Sequence, residues 1–225
     1  SIPTEMVRIT AGEFMMGALA DDEYASDNER PRHNVTLDKG FMIGKYAVTQ
    51  ALWESVMGSN PSYFKGANRP VEMVSWFDAV EFCNKLSEKE GLSVVYEGLS
   101  SYQMGDDQNM DEDAIVALAA GITCNWNAEG YRLPTEAEWE YSARGGEYHK
   151  YSGSNNVDEV AWYQNNSRTD NCFQTHPVGQ RKPNGFGLYD MSGNVWEWCW
   201  DCWGDDYSIE NPTGFSRVNR GGDWR

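Results

Sequence analysis

The stretch GLYDMSGNVWEWCWDCW, residues 187–203, places four tryptophans within eight positions and interleaves them with Glu197, Cys199 and Asp201. Few folds accommodate such a run. In an extended chain Trp196, Trp198 and Trp200 share one face, and Val195, Glu197, Cys199 and Asp201 share the other. Two readings follow: a half-buried strand whose indoles fill a core, as large rings usually do, or a site where indoles stack on a ligand that the carboxylates hold. Core packing is the expectation for the three indoles, which leaves the acids needing a role of their own.

The same bias runs through the whole chain. Ten Trp, twelve Tyr and 22 Gly in 225 residues suggest an irregular, loop-rich fold rather than long regular elements. The 40% apolar content suffices for a sizeable core. There is no internal repeat, low-complexity tract or Pro/Gly-rich linker, so residues 1–225 read as a single domain. A formal net charge of −17 repels phosphate backbones, and nucleic acid is not an expected partner. The acids gather at Asp21-Asp22-Glu23, Asp106-Asp107, Asp111-Glu112-Asp113 and Asp205-Asp206, which read first as solvated loops and second as cation sites. No run of about 18 apolar residues exists to form a transmembrane segment, and no signal-peptide pattern opens the sequence. Five cysteines, an odd number without repeated spacing, argue poorly for a disulfide framework and leave the compartment open.

Local patterns divide the chain. EMVRITAGEFMMG predicts two short strands around Ala11-Gly12, and NVTLDKGFMIGKYAV a further strand pair after a polar loop. VTQALWESVMG predicts a helix capped by Thr49 and stopped at Gly58. VSWFDAVEFCNKLSEKEG predicts a second, capped by Ser75, with Ala79, Phe82, Cys83 and Leu86 on its buried face. Residues 92–130 read as an insertion mixing an acidic loop with a short apolar run. LPTEAEWEYSARGG is the clearest helix: Thr135 and Glu138 make a capping box, Glu136 lies in the positive first turn and Gly145 ends it. Short strands and turns follow.

Generic catalytic signatures are missing: no phosphate-binding Walker loop, no G-x-S-x-G, no dinucleotide-binding glycine triplet, no H-E-x-x-H. His33, His149 and His176 are far apart in sequence and read as loop or surface residues. Cys199-Trp-Asp-Cys202 is a C-x-x-C, but redox pairs sit at a helix start. A strand would send these two thiols to opposite faces, so they read as unlinked cysteines.

Several segments together resemble one family: NPSYFKG with RPVEMVSWFDAVEFCNKLS, then GYRLPTEAEWEYSARGG, then PNGFGLYDMSGNVWEWCWD, and last RVNRGGDW. They are similar to the formylglycine-generating enzyme domain, also called the sulfatase-modifying factor domain, from about Met6 onward. The resemblance implies an irregular α+β fold of the C-type-lectin type. It also implies a calcium ion held by Asp190, the carbonyls of Gly193 and Val195, and Glu197. Calcium takes six to eight hard oxygens, and a tight SGN turn can aim carbonyls at one point. The acids would then be ligands and the indoles core, although Glu197 could equally be a solvated residue on an exposed strand face.

Enzymatic members oxidise a sulfatase cysteine to formylglycine with copper held by two cysteines that follow the RGG-x-W segment. The sequence stops at Arg225, immediately after RGGDW, so the expected domain lacks that C-terminal segment and none of its five cysteines takes those positions. Copper is expected only if such a pair follows. The variable proteins of diversity-generating retroelements also resemble this domain. Their segment after a RVxRGG stem is rewritten at adenine-containing codons to vary a ligand-binding surface, and Asp223 and Arg225 are residues that rewriting an asparagine codon yields. The expectation is a non-catalytic, displayed or secreted module, at the cell surface or outside the cell. It would bind a protein or other macromolecular ligand through Asp223, Trp224 and Arg225; the alternative is the formylglycine-generating oxidase.

Overall fold

The computed structural model describes residues 5–19, 25, 27–203 and 216–225. The acidic triplet Asp21-Asp22-Glu23 and the pair Asp205-Asp206 lie outside the described residues. Four short strands open the chain as expected: β1 (Met6–Ile9), β2 (Gly12–Met16), β3 (His33–Leu37) and β4 (Phe41–Gly44). They do not pair in chain order. β2 pairs antiparallel with β3, and β1 with β4, in two separate two-stranded sheets, so that one pairing encloses the other in chain order only. Ile9, at the end of β1, is 1% exposed and anchors this unit in the core.

Helix α1 (Gln50–Met57) begins at Thr49, whose hydroxyl accepts the Leu52 N–H, and ends at Gly58 with φ 82°. Helix α2 (Trp76–Lys89) carries a reciprocal capping box between Ser75 and Asp78, which satisfies two otherwise orphaned N–H groups. Ala79, Phe82, Cys83 and Leu86 are buried, as their spacing predicts, but so are Trp76, Phe77 and Val80. Trp53 of α1 stacks on Phe82 of α2 with centroids 4.9 Å apart and planes 7° apart.

Residues 92–130 are not the irregular insertion that the sequence suggests. They contain strands β5 (Tyr96–Glu97) and β6 (Thr123–Cys124), paired antiparallel, and helix α3 (Glu112–Gly121). The acids at 111–113 start that helix: Asp111 accepts the Ala114 N–H and Glu112 and Asp113 fill the first turn, where the helix end favours negative charge. Tyr96, Leu99, Tyr102, Ala119 and Ile122 join the same apolar cluster as α1 and α2, so this segment is part of the core.

Helix α4 (Glu136–Arg144) has the expected box between Thr135 and Glu138 and closes on Gly145 at φ 60°. A one-turn helix α5 (Val157–Val160) follows, then a hairpin of β7 (Arg168–Thr169) and β8 (Cys172–Phe173). Asp170 and Asn171 turn it with φ of 51° and 64°, the positive values that two-residue hairpin turns require. The last pair is β9 (Glu197–Cys202) against β10 (Arg217–Arg220), antiparallel with a register shift between Arg217 and Asn219.

Strand β9 divides two apolar clusters. Trp198 and Trp200 pack against the cluster of α1, α2 and residues 95–102, whereas Cys199 is buried with Ile9, Trp139, Leu188, Met191 and Val218. Trp200 stacks on Tyr96 at 5.0 Å, the Trp198 Nε1–H donates to the Val74 carbonyl at 3.2 Å and the Trp76 Nε1–H donates to the Cys199 carbonyl at 2.9 Å. Trp196 departs from the expectation: it precedes the strand and is 54% exposed. Positive φ at Asn194 (68°) and at Gly193 twists the chain just before β9, so strand alternation starts only at Glu197.

Candidate functional site

The loop between Asp190 and Glu197 is fastened on three sides. The Asn194 N–H donates to the Trp162 carbonyl at 2.9 Å and the Gly193 N–H to the Gly221 carbonyl at 2.7 Å. The Asn194 amide exchanges two hydrogen bonds with the His176 backbone, donating to its carbonyl at 3.0 Å and accepting its N–H at 2.9 Å. A Cβ at Gly193 would collide with the Trp162 carbonyl oxygen, so close backbone approach demands glycine there.

Two carboxylates end in this loop. Asp190 is 3% exposed; its Oδ2 accepts the Gly179 N–H at 2.7 Å, while Oδ1 is buried with no hydrogen-bond partner among the described residues. Glu197 accepts the Trp139 Nε1–H at 2.8 Å through Oε2. Burial raises the Asp190 carboxyl to about 6, against the opposing Gly179 N–H and the Arg181 charge. Burial likewise raises Glu197 to about 7, and the charge of Asp190 adds to the rise. Two buried carboxyls, one with an orphaned oxygen and a charge that disfavours ionisation of the other, make a cradle that a cation would relieve.

The carbonyls of Val195 and Met191 converge on Gly221, each 3.6 Å from where a Cβ would stand. The Gly193 carbonyl already accepts the Val195 N–H at 3.0 Å. Among the described residues no three His, Cys, Asp or Glu side chains gather, so an ion here would need backbone oxygens besides its two carboxylates. That all-oxygen set suits a hard cation such as calcium.

Beyond Gly221 and Gly222 the chain leaves the core at Asp223, Trp224 and Arg225. Sequence reasoning expects a solvent-facing Asp and Arg; only the Arg is so exposed. Arg225 has a side chain 73% exposed, but that of Asp223 is only 13% exposed and pairs with the Arg225 Nε at 3.3 Å. It also accepts the Arg225 N–H at 2.9 Å, as short acidic side chains do two residues ahead in turns. Trp224 is half-buried, edge-on to Phe64 at 5.5 Å, and its carbonyl accepts the Ser167 hydroxyl at 2.5 Å. Tyr63, edge-on to Phe64 at 4.9 Å, is 76% exposed. Tyr63 and Phe64 were not expected in this site: nothing local in NPSYFKG says that it meets a segment some 160 residues later, and only the fold joins them.

Strand β10 is held to α4 by charge. The Arg220 guanidinium binds Glu136 at 3.1 Å and Glu140 at 2.7 Å, and Arg144 binds Glu140 at 2.5 Å. All five cysteines are free, as read, and Cys199 is buried while Cys202 is half-buried. The histidines depart from the loop-or-surface reading: His33 is a half-buried residue of β3 that contacts the Pro31 carbonyl, His176 is half-buried and stacks on Trp162 at 3.8 Å, and His149 contacts the Glu147 carboxylate.

Small two-stranded sheets, short capped helices and an aromatic interior define an α+β domain of the C-type-lectin type. The chain belongs to the sulfatase-modifying factor enzyme 1-like domain family, whose pattern it matches over residues 2–225. It is 48% identical over 207 residues to the chaperone protein LppX of Paenibacillus barcinonensis, covering 85% of this chain and 71% of that protein. With the formylglycine-generating enzyme of Mus musculus it shares 31% identity over 271 residues, 98% of this chain and 66% of the mouse protein. The structure of Treponema denticola variable protein 1 is similar at a TM-score of 0.80 and 37% identity, covering 97% of this chain and 83% of that one. No helix among the described residues is long and apolar enough to cross a membrane.

Proposed function

We propose that this chain is a non-catalytic binding module whose working face is the C-terminal end, Asp223, Trp224 and Arg225, joined by Tyr63 and Phe64. It would hold a protein or other macromolecular ligand, at the cell surface or outside the cell. One observation carries this reading: the exposed Tyr63 ring and Arg225 guanidinium stand on the Phe64–Trp224 contact, whose backbone is fixed by Ser167. Aromatic rings and arginine on a rigid base are the usual makings of a binding hot spot. Likeness to a variable protein supports the same reading, as does likeness to a protein named a chaperone.

The second reading, an oxidase acting on a sulfatase cysteine, draws on the relatives named formylglycine-generating enzymes. It requires a pair of thiolates for copper. In that reading the pair follows the RGG-x-W segment, a position that none of Cys83, Cys124, Cys172, Cys199 and Cys202 occupies. A structural calcium at Asp190, Gly193, Val195 and Glu197 belongs to either reading.

The test compares proteins captured from extracellular extract by the natural protein and by its Tyr63→Ala/Arg225→Ala variant. Both residues are exposed, so folding should stay within about 0.5 kcal/mol while the partner profile changes. Identical profiles would overturn the placement of the face, and formylglycine produced in a sulfatase peptide would overturn the non-catalytic reading.

A further inference from the structure

Helix α3 is more apolar than its surroundings require. From Ala114 to Ala120 it reads Ala-Ile-Val-Ala-Leu-Ala-Ala, about two turns without a polar side chain. A helix that is apolar all round belongs where it is covered all round. Here Ile115 and Leu118 pack against the cluster of α1 and α2 and Ala119 is buried, whereas Ala114, Ala117 and Ala120 are exposed and Val116 is 38% exposed. Helix propensity accounts for the alanines but not for a valine, whose branched Cβ lowers it. One face of α3 is therefore unpartnered. Glu112, Val116 and Ala120, four residues apart, run along that face in one line of about 12 Å.

The charge around this face has a single sign. Residues 91–131 contain seven Asp and Glu and no Lys, Arg or His. None of the seven is in an ion pair among the described residues. Three of them meet neutral donors, which leave the charge uncancelled: Asp106 accepts the Gln103 N–H at 2.8 Å, Asp107 the Tyr102 hydroxyl at 2.5 Å and Asp111 the Ala114 N–H at 2.9 Å. Asp111, Glu112 and Asp113 stand at the start of α3 itself, and all three are exposed. The cations nearest in sequence are engaged: Lys85 with Glu81 at 2.8 Å, Arg132 with Glu138 at 2.6 and 2.7 Å, and Lys89, flanked by Glu88 and Glu90, with the Ser55 carbonyl.

We propose that the exposed face of α3 docks a basic amphipathic helix of a partner polypeptide, with large apolar side chains against Val116 and Ala120 and Lys or Arg against Asp111, Glu112 and Asp113. Charge decides the occupant. A second copy would bring another net charge of −17, and an anionic membrane or a nucleic acid would meet seven uncancelled carboxylates. A basic helix meets complementary charge and the apolar line together, and the small side chains of α3 let its backbone come close. This surface shares no residue with the C-terminal face.

The probe is a synthetic amphipathic helix of Leu and Lys, compared with a Leu/Glu peptide of the same pattern and with a scrambled Leu/Lys peptide whose leucines share no face. In titration calorimetry at physiological salt the amphipathic Leu/Lys peptide should bind about tenfold more tightly than either control, and it should slow hydrogen exchange across Glu112–Gly121. Val116→Gln/Ala120→Gln and, separately, Glu112→Gln/Asp113→Asn should each weaken it about tenfold, with the melting temperature close to that of the natural protein. Equal binding of the scrambled peptide would reduce the contact to bulk charge and overturn the proposal, as would tighter binding of the Leu/Glu peptide. Binding lost in Tyr63→Ala/Arg225→Ala but kept in both α3 variants would move the peptide to the C-terminal face. Concentration-dependent dimers that dissolve in Val116→Gln/Ala120→Gln would make a second copy the occupant, and no binding of any peptide would refute the docking surface outright.

Discussion

Trp200 is half-buried by area and central by contact: it stacks on Tyr96, leans on Trp76 at 5.3 Å, meets Trp126 edge-on and lies under Arg217 at 5.2 Å. Trp200→Ala should therefore cost about 3 kcal/mol of unfolding free energy, toward the lower end for a large aromatic because part of the ring is already wet. Trp196→Ala, at 54% exposure, should cost under about 1 kcal/mol. Urea titration of both variants checks the difference; equal losses would mean that the exposed indole is buried in solution. Sequence alone makes these tryptophans equivalent because alternation assumes a strand throughout. The information that separates them lies in Gly193 and Asn194, whose positive φ delays the strand. A glycine followed by asparagine hints at such a turn, but not at which residue the ladder begins.

Among the elements, the helices whose ends carry their own caps were legible, and the strand pairings were not. Thr135 and Glu138 declare α4 within four residues, since each side chain answers a backbone N–H of the other. Nothing local tells β1 to skip β2 and pair with β4; that choice rests on burying Ile9, a tertiary matter. Helix α3 is hidden in the sequence because its cap, Asp111, lies in an acidic run whose composition is that of a loop. Thr135→Ala should cost about 1 kcal/mol. The two helix-ending glycines, both at positive φ, should differ. A Cβ at Gly58 would meet nothing within 4 Å, whereas at Gly145 it would stand 2.8 Å from the Asn184 Cγ and 2.9 Å from the Gly185 backbone nitrogen. Gly58→Ala should thus cost only the left-handed backbone term, about 1 kcal/mol, and Gly145→Ala clearly more. Thermal unfolding of the two variants decides this, and equal melting temperatures would show that Asn184 yields without cost.

At the scale of the whole molecule, the acid-lined loop and the C-terminal face are one mechanical unit. The Gly193 N–H holds the Gly221 carbonyl, Asn194 holds the His176 backbone, the His176 ring meets the Ser167 carbonyl at 3.0 Å, and Ser167 holds Trp224. These hydrogen bonds join residues up to 57 positions apart, which is why the sequence could name Asp190, Glu197 and Trp224 separately without indicating that they are connected. If calcium occupies the loop, it should stabilise the native state by mass action, about 2.7 kcal/mol at a hundredfold excess over its dissociation constant. Melting temperature should rise with calcium and fall in chelator, and Glu197→Ala should remove most of the response. The connection adds a sharper expectation. Calcium should slow hydrogen exchange not only at residues 190–197 but also at Gly221–Arg225, because the loop holds the turn that carries them. Protection confined to the loop would show that the ion steadies its own site alone, and an unchanged melting temperature in chelator would remove the ion from this molecule altogether.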